Sequence, residues 1–134
     1  MSAPPQAVLA LVWALVGPPL LIYGATRIKR GRVALHVTLM SVSAVIEIAV
    51  VVGFSFLMAP SPRRATLVAL PFFQIHLAFA ITALAGLAWQ LTSRAVARLR
   101  PLHRHTGPYV VLVWCLALLT GIYNYVYLYV MGSQ

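Results

Sequence analysis

Four histidines and one carboxylate hold most of the chemistry open to this chain: His36, His76, His103, His105 and Glu47. A neutral imidazole can ligate a metal or haem iron with one nitrogen while the other donates a hydrogen bond, and a carboxylate can ligate, take a proton or accept hydrogen bonds. Glu47 is the single acid against ten Lys and Arg in 134 residues, of which 62% are hydrophobic and 8% charged. The formal charge of +9 therefore reflects missing carboxylates more than a dense basic patch. The cations sit between apolar runs without base-reading or stacking groups among them, which argues against a nucleic-acid binder. One cysteine, Cys115, excludes an internal disulfide and a paired-cysteine zinc site. No Gly-rich phosphate loop, Ser/His/Asp order or carboxylate dyad is present.

These residues must be positioned by membrane-spanning helices. Four apolar runs, residues 7–25, 33–59, 67–92 and 109–131, each reach the ~20 residues that a spanning helix needs, so the chain reads as one integral membrane domain over residues 1–134. The cations follow the first run instead of preceding it, the reverse of a secretory signal, so this run is expected to stay as the first helix. Short connectors predict an all-α, up-and-down four-helix bundle with consecutive helices as antiparallel neighbours. The first connector carries Arg27, Lys29, Arg30 and Arg32 and the third Arg94, Arg98, Arg100 and Arg104, while the second has Arg63 and Arg64. The positive-inside rule then places both termini outside. Residues 92–100 read as a cytoplasmic extension of the third helix that Pro101 ends and whose arginines meet anionic headgroups. Kinks are expected at Pro18, Pro19 and Pro71.

An ionisable group in hydrocarbon demands a partner or a purpose. His36 and Glu47 are eleven residues apart, three helical turns plus roughly 20°, so with Met40 and Ser43 they form one polar stripe that should face the other helices. Counting ~1.5 Å per residue from the run edges puts Glu47, His76 and Asn124 at similar depth, where they can form a metal, haem or proton-handling cluster, or a structural His–Glu pair. At the other end His36 meets His103 or His105 just before the fourth helix, as a bis-histidine haem site or as interfacial imidazoles; only one of the two can share a direction with His36. Tyr123, Tyr125, Tyr127 and Tyr129 read as an interfacial belt, and Trp13, Trp89 and Trp114 as ordinary bundle or lipid-facing aromatics. Gly86 and Gly121 read as close-packing points.

The basic connector followed by His36 and Met40, then Phe72, Phe73, Gln74, Ile75 and His76, then Leu102, His103, Arg104, His105, Thr106 and Gly107 leading to Trp114 and Leu119, Thr120, Gly121 and Ile122, resembles the small four-helix bacterial membrane proteins similar to CtaM. The resemblance covers about three quarters of the chain, from the second helix onward. It implies a role in maturing haem-copper cytochrome oxidases, with His36, His76 and His103 at the family's histidine positions and His105 as a companion. Further histidines common in such proteins at the outer ends of the second and fourth helices are replaced here by Phe56, Leu57 and Met58, and by Tyr129, Val130 and Met131, with Glu47 as a substitute ligand. The expectation is a multi-pass protein of the bacterial cytoplasmic membrane, among lipids and beside a cytochrome oxidase or other respiratory complex. It would bind and present haem, or alternatively copper, through His36, His76, His103, His105 and Glu47, with Asn124, Tyr123, Tyr127 and Met40 around them, and would turn over no substrate. The rivals are a purely structural subunit and a proton or quinone pathway through Glu47 and His76.

Overall fold

A computed structural model describes residues 2–57 and 60–131. The described residues are almost all helical and form no strand: α1 is Pro5–Arg27, α2 Val33–Val52, α3 Pro62–Ala69, α4 Pro71–Ala95 and α5 Arg100–Tyr125. The segments Pro5–Arg30, Val33–Leu57, Pro71–Ala95 and Ala97–Val130 are long and apolar enough to cross a membrane. The last two positions of the second apolar run, residues 58 and 59, lie outside the described residues, and so does the departure noted at Met58.

α1 and α5 form the centre. Among the buried residues of α1, Ala7, Ala14, Gly17, Leu21 and Gly24 recur at three, four or seven positions, a narrow seam of mostly small side chains that lets neighbouring backbones approach, with Trp13 and Pro18 buried beside it. α5 answers with Trp114, Ala117, Leu118 and Asn124. A β-carbon on Gly17 would stand 2.7 Å from Leu118 Cδ1, and one on Gly24 would stand 3.1 Å from Leu39 Cβ and 3.2 Å from Met40 Sδ. α1 packs on α2 and α5, and α5 packs on α4. The main packing order is therefore α2, α1, α5, α4, and α2 and α4 make few close backbone approaches, though Ala44 of α2 shares one core cluster with Ala83 and Leu87 of α4. That corrects one expectation, because consecutive spans are neighbours only where the connector is short, and here the segment after α2 contains a helix of its own.

This helix, α3, accounts for Arg63 and Arg64. Ser61 caps it by accepting from Arg64 N at 3.1 Å, and Pro62 opens it with the φ that a first helical residue needs. Arg63 and Arg64 face inward instead of toward solvent. Arg63 Nε and Nη2 donate to Tyr127 O at 3.2 and 2.7 Å, and Arg64 Nη2 donates to Phe54 O at 2.9 Å. Both carbonyls lie near the ends of spanning helices, in short π-helical continuations of α5 and α2, where carbonyls lack partners and the helix dipole attracts cations. The third span thus does not begin at Leu67: Pro71 forces Leu70 to extended backbone (φ −76, ψ 140) and starts α4 afresh.

The other boundary correction concerns Pro101. α4 ends at Ala95, Val96 is extended, and Ala97–Leu99 is one 3₁₀ turn. Pro101 occupies the first turn of α5 rather than ending its predecessor, since a residue without an N–H costs nothing there. His103 and His105 consequently belong to α5. Pro18 and Pro19 are accommodated within a continuous α1, where Cys115 Sγ lies 4.0 Å from Pro18 O.

Close packing between α4 and α5 yields a test. A β-carbon at Gly86 would lie 3.0 and 3.1 Å from the two γ-methyls of Val110, a stiff β-branched side chain, whereas at Gly53 it would meet nothing within 4 Å. Gly86→Ala is expected to lower stability in detergent by about 1–3 kcal/mol, and Gly53→Ala to change it by less than about 0.5 kcal/mol. Thermal or denaturant unfolding of the two variants measures this.

Candidate functional site

The polar stripe of α2 does face inward, and each of its residues is held by a neighbouring helix or buried. Glu47 Oε2 accepts from Trp13 Nε1 at 2.7 Å and from Trp114 Nε1 at 2.8 Å. The two indoles are 5% and 2% exposed, so the contact is closed to solvent on both sides. An indole N–H only donates, so Oε2 serves as the acceptor of both bonds. One oxygen atom thereby joins α1, α2 and α5. Trp13 and Trp114 are thus neither belt residues nor lipid-facing ones; only Trp89 is substantially exposed, and its Nε1 donates to Thr106 Oγ1 at 3.0 Å.

The cluster expected from Glu47, His76 and Asn124 is replaced by separate sets. His76 and Glu47 share no hydrogen bond. His76 Nδ1 lies 2.9 Å from Thr120 Oγ1, whose single proton is directed to Leu116 O at 2.8 Å or Ala117 O at 3.0 Å. His76 Nδ1–H must then donate to Thr120, which leaves Nε2 with the lone pair. Gly121 makes this possible, since a β-carbon there would already sit 3.4 Å from His76 Cε1. Asn124 is 9% exposed and its Oδ1 is enclosed without a partner among the described residues. Depth counted from the run edges misplaced the partner of Glu47 by ten residues along α5, from Asn124 to Trp114. The run edges share no plane: α5 starts at Arg100, nine residues before its apolar run.

At the other end of the helices, His36 Nδ1 donates to Gly24 O at 2.9 Å, tying the first turn of α2 to the last turns of α1. Met40 lies one turn on, against the same glycine. His103 Nδ1 lies 3.0 Å from Gln90 O, so the start of α5 is tied to the end of α4. The Gln90 side-chain amide sits against the same ring: with its nitrogen turned to His103 it donates to Nδ1 at 2.9 Å and its oxygen accepts from Thr106 Oγ1 at 2.7 Å, so Nδ1 of His103 faces a donor as well as an acceptor. His36 and His103 therefore stand at the same end of the molecule, and His76 lies fourteen residues before Gln90 along α4, about 21 Å away. His105 is exposed. Tyr123 and Tyr127 belong to the opposite end, Tyr123 with its ring centroid 4.0 Å from that of Phe72 and Tyr127 beneath the Arg63 guanidinium at 5.0 Å.

Among the described residues no group of three or more His, Cys, Asp or Glu side chains converges as a metal site. What recurs is the nitrogen used: His36, His76 and His103 each hold Nδ1 in a hydrogen bond to a neighbouring helix, and for His36 the carbonyl partner requires Nδ1–H. No family model matches the chain, and no curated protein or solved structure matches it either.

The Glu47 contact predicts coupled stabilities. Trp13→Phe and Trp114→Phe each remove one donor to a buried carboxyl and are expected to cost about 1.5–3 kcal/mol. In a Glu47→Leu background both substitutions should cost clearly less, giving a coupling energy of about 0.5–3 kcal/mol in a double-mutant cycle. Unfolding in detergent reads the cycle.

Proposed function

We propose that this chain is an integral membrane accessory protein of respiratory oxidase biogenesis or electron transfer, which binds haem through imidazole Nε2 and presents it without turning over a substrate. The observation that carries the reading is that His36, His76 and His103 each have their ring held through Nδ1 by a neighbouring helix, which leaves Nε2 as the nitrogen a metal would meet. That arrangement is what orients ligating histidines and raises their basicity. Haem fits these residues better than copper does. The porphyrin supplies four nitrogens and asks the protein for one or two axial ligands, whereas a copper ion held by this chain alone would need ligands that the described residues do not bring together.

Within this reading His36 and His103 are the axial candidates, being at the same end of the molecule, and His103 is preferred to His105 because its ring is already held. Gly24 and Gln90 fix the two rings. Glu47 is a positioning group, its hydrogen-bonding oxygen being committed to Trp13 and Trp114. The lipid setting is the bacterial cytoplasmic membrane with both termini outside, which puts His36 and His103 on the cytoplasmic side, and the partner is a cytochrome oxidase or other respiratory complex met within the bilayer.

A second reading, a structural subunit whose polar residues serve helix registry, is favoured by the same Glu47 contact. The two separate in an optical spectrum of the protein purified from a haem-producing host. The proposal expects a Soret band that His36→Ala and His103→Ala shift or abolish and that His105→Ala preserves. A colourless protein with no stoichiometric haem, or a spectrum indifferent to His36 and His103, contradicts it and leaves the structural reading.

A further inference from the structure

At the end of the molecule opposite His36 and His103, the start of α1, the start of α3 and the π-helical ends of α2 and α5 enclose an open cleft of about 370 Å³. Its wall includes Gln6, Leu57, Ser61, Arg63, Arg64 and Tyr129. We infer that this cleft binds the phosphate of an anionic phospholipid, with Arg63 as the principal contact.

The argument begins with charge. The single acidic side chain of the sequence, Glu47, is bound to Trp13 and Trp114 and so does not serve Arg63. Arg63 meets instead the carbonyl of Tyr127 near the C-terminal end of a spanning helix, which supplies about −0.5 of an elementary charge against its +1. A carbonyl is a weaker partner for a guanidinium than a carboxylate or phosphate oxygen is. The donors agree with this. A guanidinium has five N–H groups, and the two bonds to Tyr127 O account for two of them.

The geometry is also paid for in advance. Two hydrogen bonds and the Tyr127 ring, 5.0 Å from the guanidinium carbon, hold Arg63 in place, so little side-chain entropy remains to be lost when a ligand arrives. Gln6 adds a polar group on the facing wall. Its amide carries both a donor and an acceptor, and its Oε1 has no partner among the described residues. Leu57 gives the same cleft an apolar side, which suits the glycerol and first acyl carbons of a lipid and offers nothing to a small free anion. Arg64 adds a second cation to the wall. Its location agrees as well: α3 lies at one end of the spanning helices, where headgroups are.

The test uses the full chain in neutral detergent, with native mass spectrometry and thermal unfolding after addition of phosphatidylglycerol, phosphatidylcholine or inorganic phosphate. Phosphatidylglycerol is expected to be retained and to raise Tm, with phosphatidylcholine giving neither effect. Gln6→Glu places a carboxylate in the cleft while leaving Arg63 and its carbonyl bonds intact, and should lower phosphatidylglycerol retention about tenfold; Arg63→Gln should do so as well, and Arg104→Gln, on α5 near His103, should not. An equal Tm shift from inorganic phosphate, abolished by Gln6→Glu, supports the oxyanion site and assigns it to a free anion. Retention that ignores the headgroup, or that Gln6→Glu leaves unchanged, overturns the inference.

Discussion

A carboxyl oxygen in a hydrocarbon layer has to find donors, and the way Glu47 finds them decides how the helices of this protein sit. Its Oε2 takes two indole N–H groups, from Trp13 on α1 and Trp114 on α5. Leaving such an oxygen without partners would cost several kcal/mol, more than any one apolar contact in the bundle returns. α2 is thereby fastened to α1, on which it packs, and through the Trp114 indole to α5. The small residues of the α1 seam make this approach possible, and Gly24 carries it to the end of the helix, where His36 reaches a backbone carbonyl.

With Glu47 committed to structure, the histidines stand apart from it. Each of the three that are held inside the protein has Nδ1 in a hydrogen bond to a fixed partner, yet the partners belong to different helices: α1 for His36, α5 for His76, α4 for His103. They act as ties between helices and simultaneously as imidazoles with one nitrogen in reserve. The proposed haem-carrying role depends on that second property, and the structural reading needs only the first. The two arginines of α3 close the opposite end by meeting helix carbonyls, which explains cations on the side of the molecule where the positive-inside rule expects few.

Much of this was legible from the residues. Four apolar runs and their basic connectors predict the spans, and the His36 to Glu47 spacing predicts an inward stripe, because both rest on helical periodicity. The boundaries that escaped are those where proline has two meanings. Pro101 and Pro71 begin helices, and a proline read by itself signals a stop as readily as a start. The partners of Glu47 escaped for a different reason. Depth was counted along each run from its apolar edge, an origin that α5 does not respect, and the tryptophans were read as ordinary bundle or lipid-facing aromatics with no polar role. The signal was present all the same: Trp13 lies well inside its apolar run, where an indole N–H needs an acceptor, and the sequence holds one carboxylate to supply it. No pattern in the sequence announced that α2 and α4 would part, since that follows from α3, a short helix whose inward face carries arginine.

The central claim is that a single carboxyl oxygen, shared by two tryptophans, sets the arrangement on which the histidines and the terminal clefts depend. Its most direct measurement is the indole ¹H–¹⁵N spectrum of the protein in detergent micelles. Trp13 and Trp114 are expected to give downfield, slowly exchanging N–H signals distinct from that of Trp89, and both should move together when Glu47 is replaced by Leu. Signals from Trp13 and Trp114 that exchange as fast as Trp89, or that stay in place in Glu47→Leu, would contradict the account.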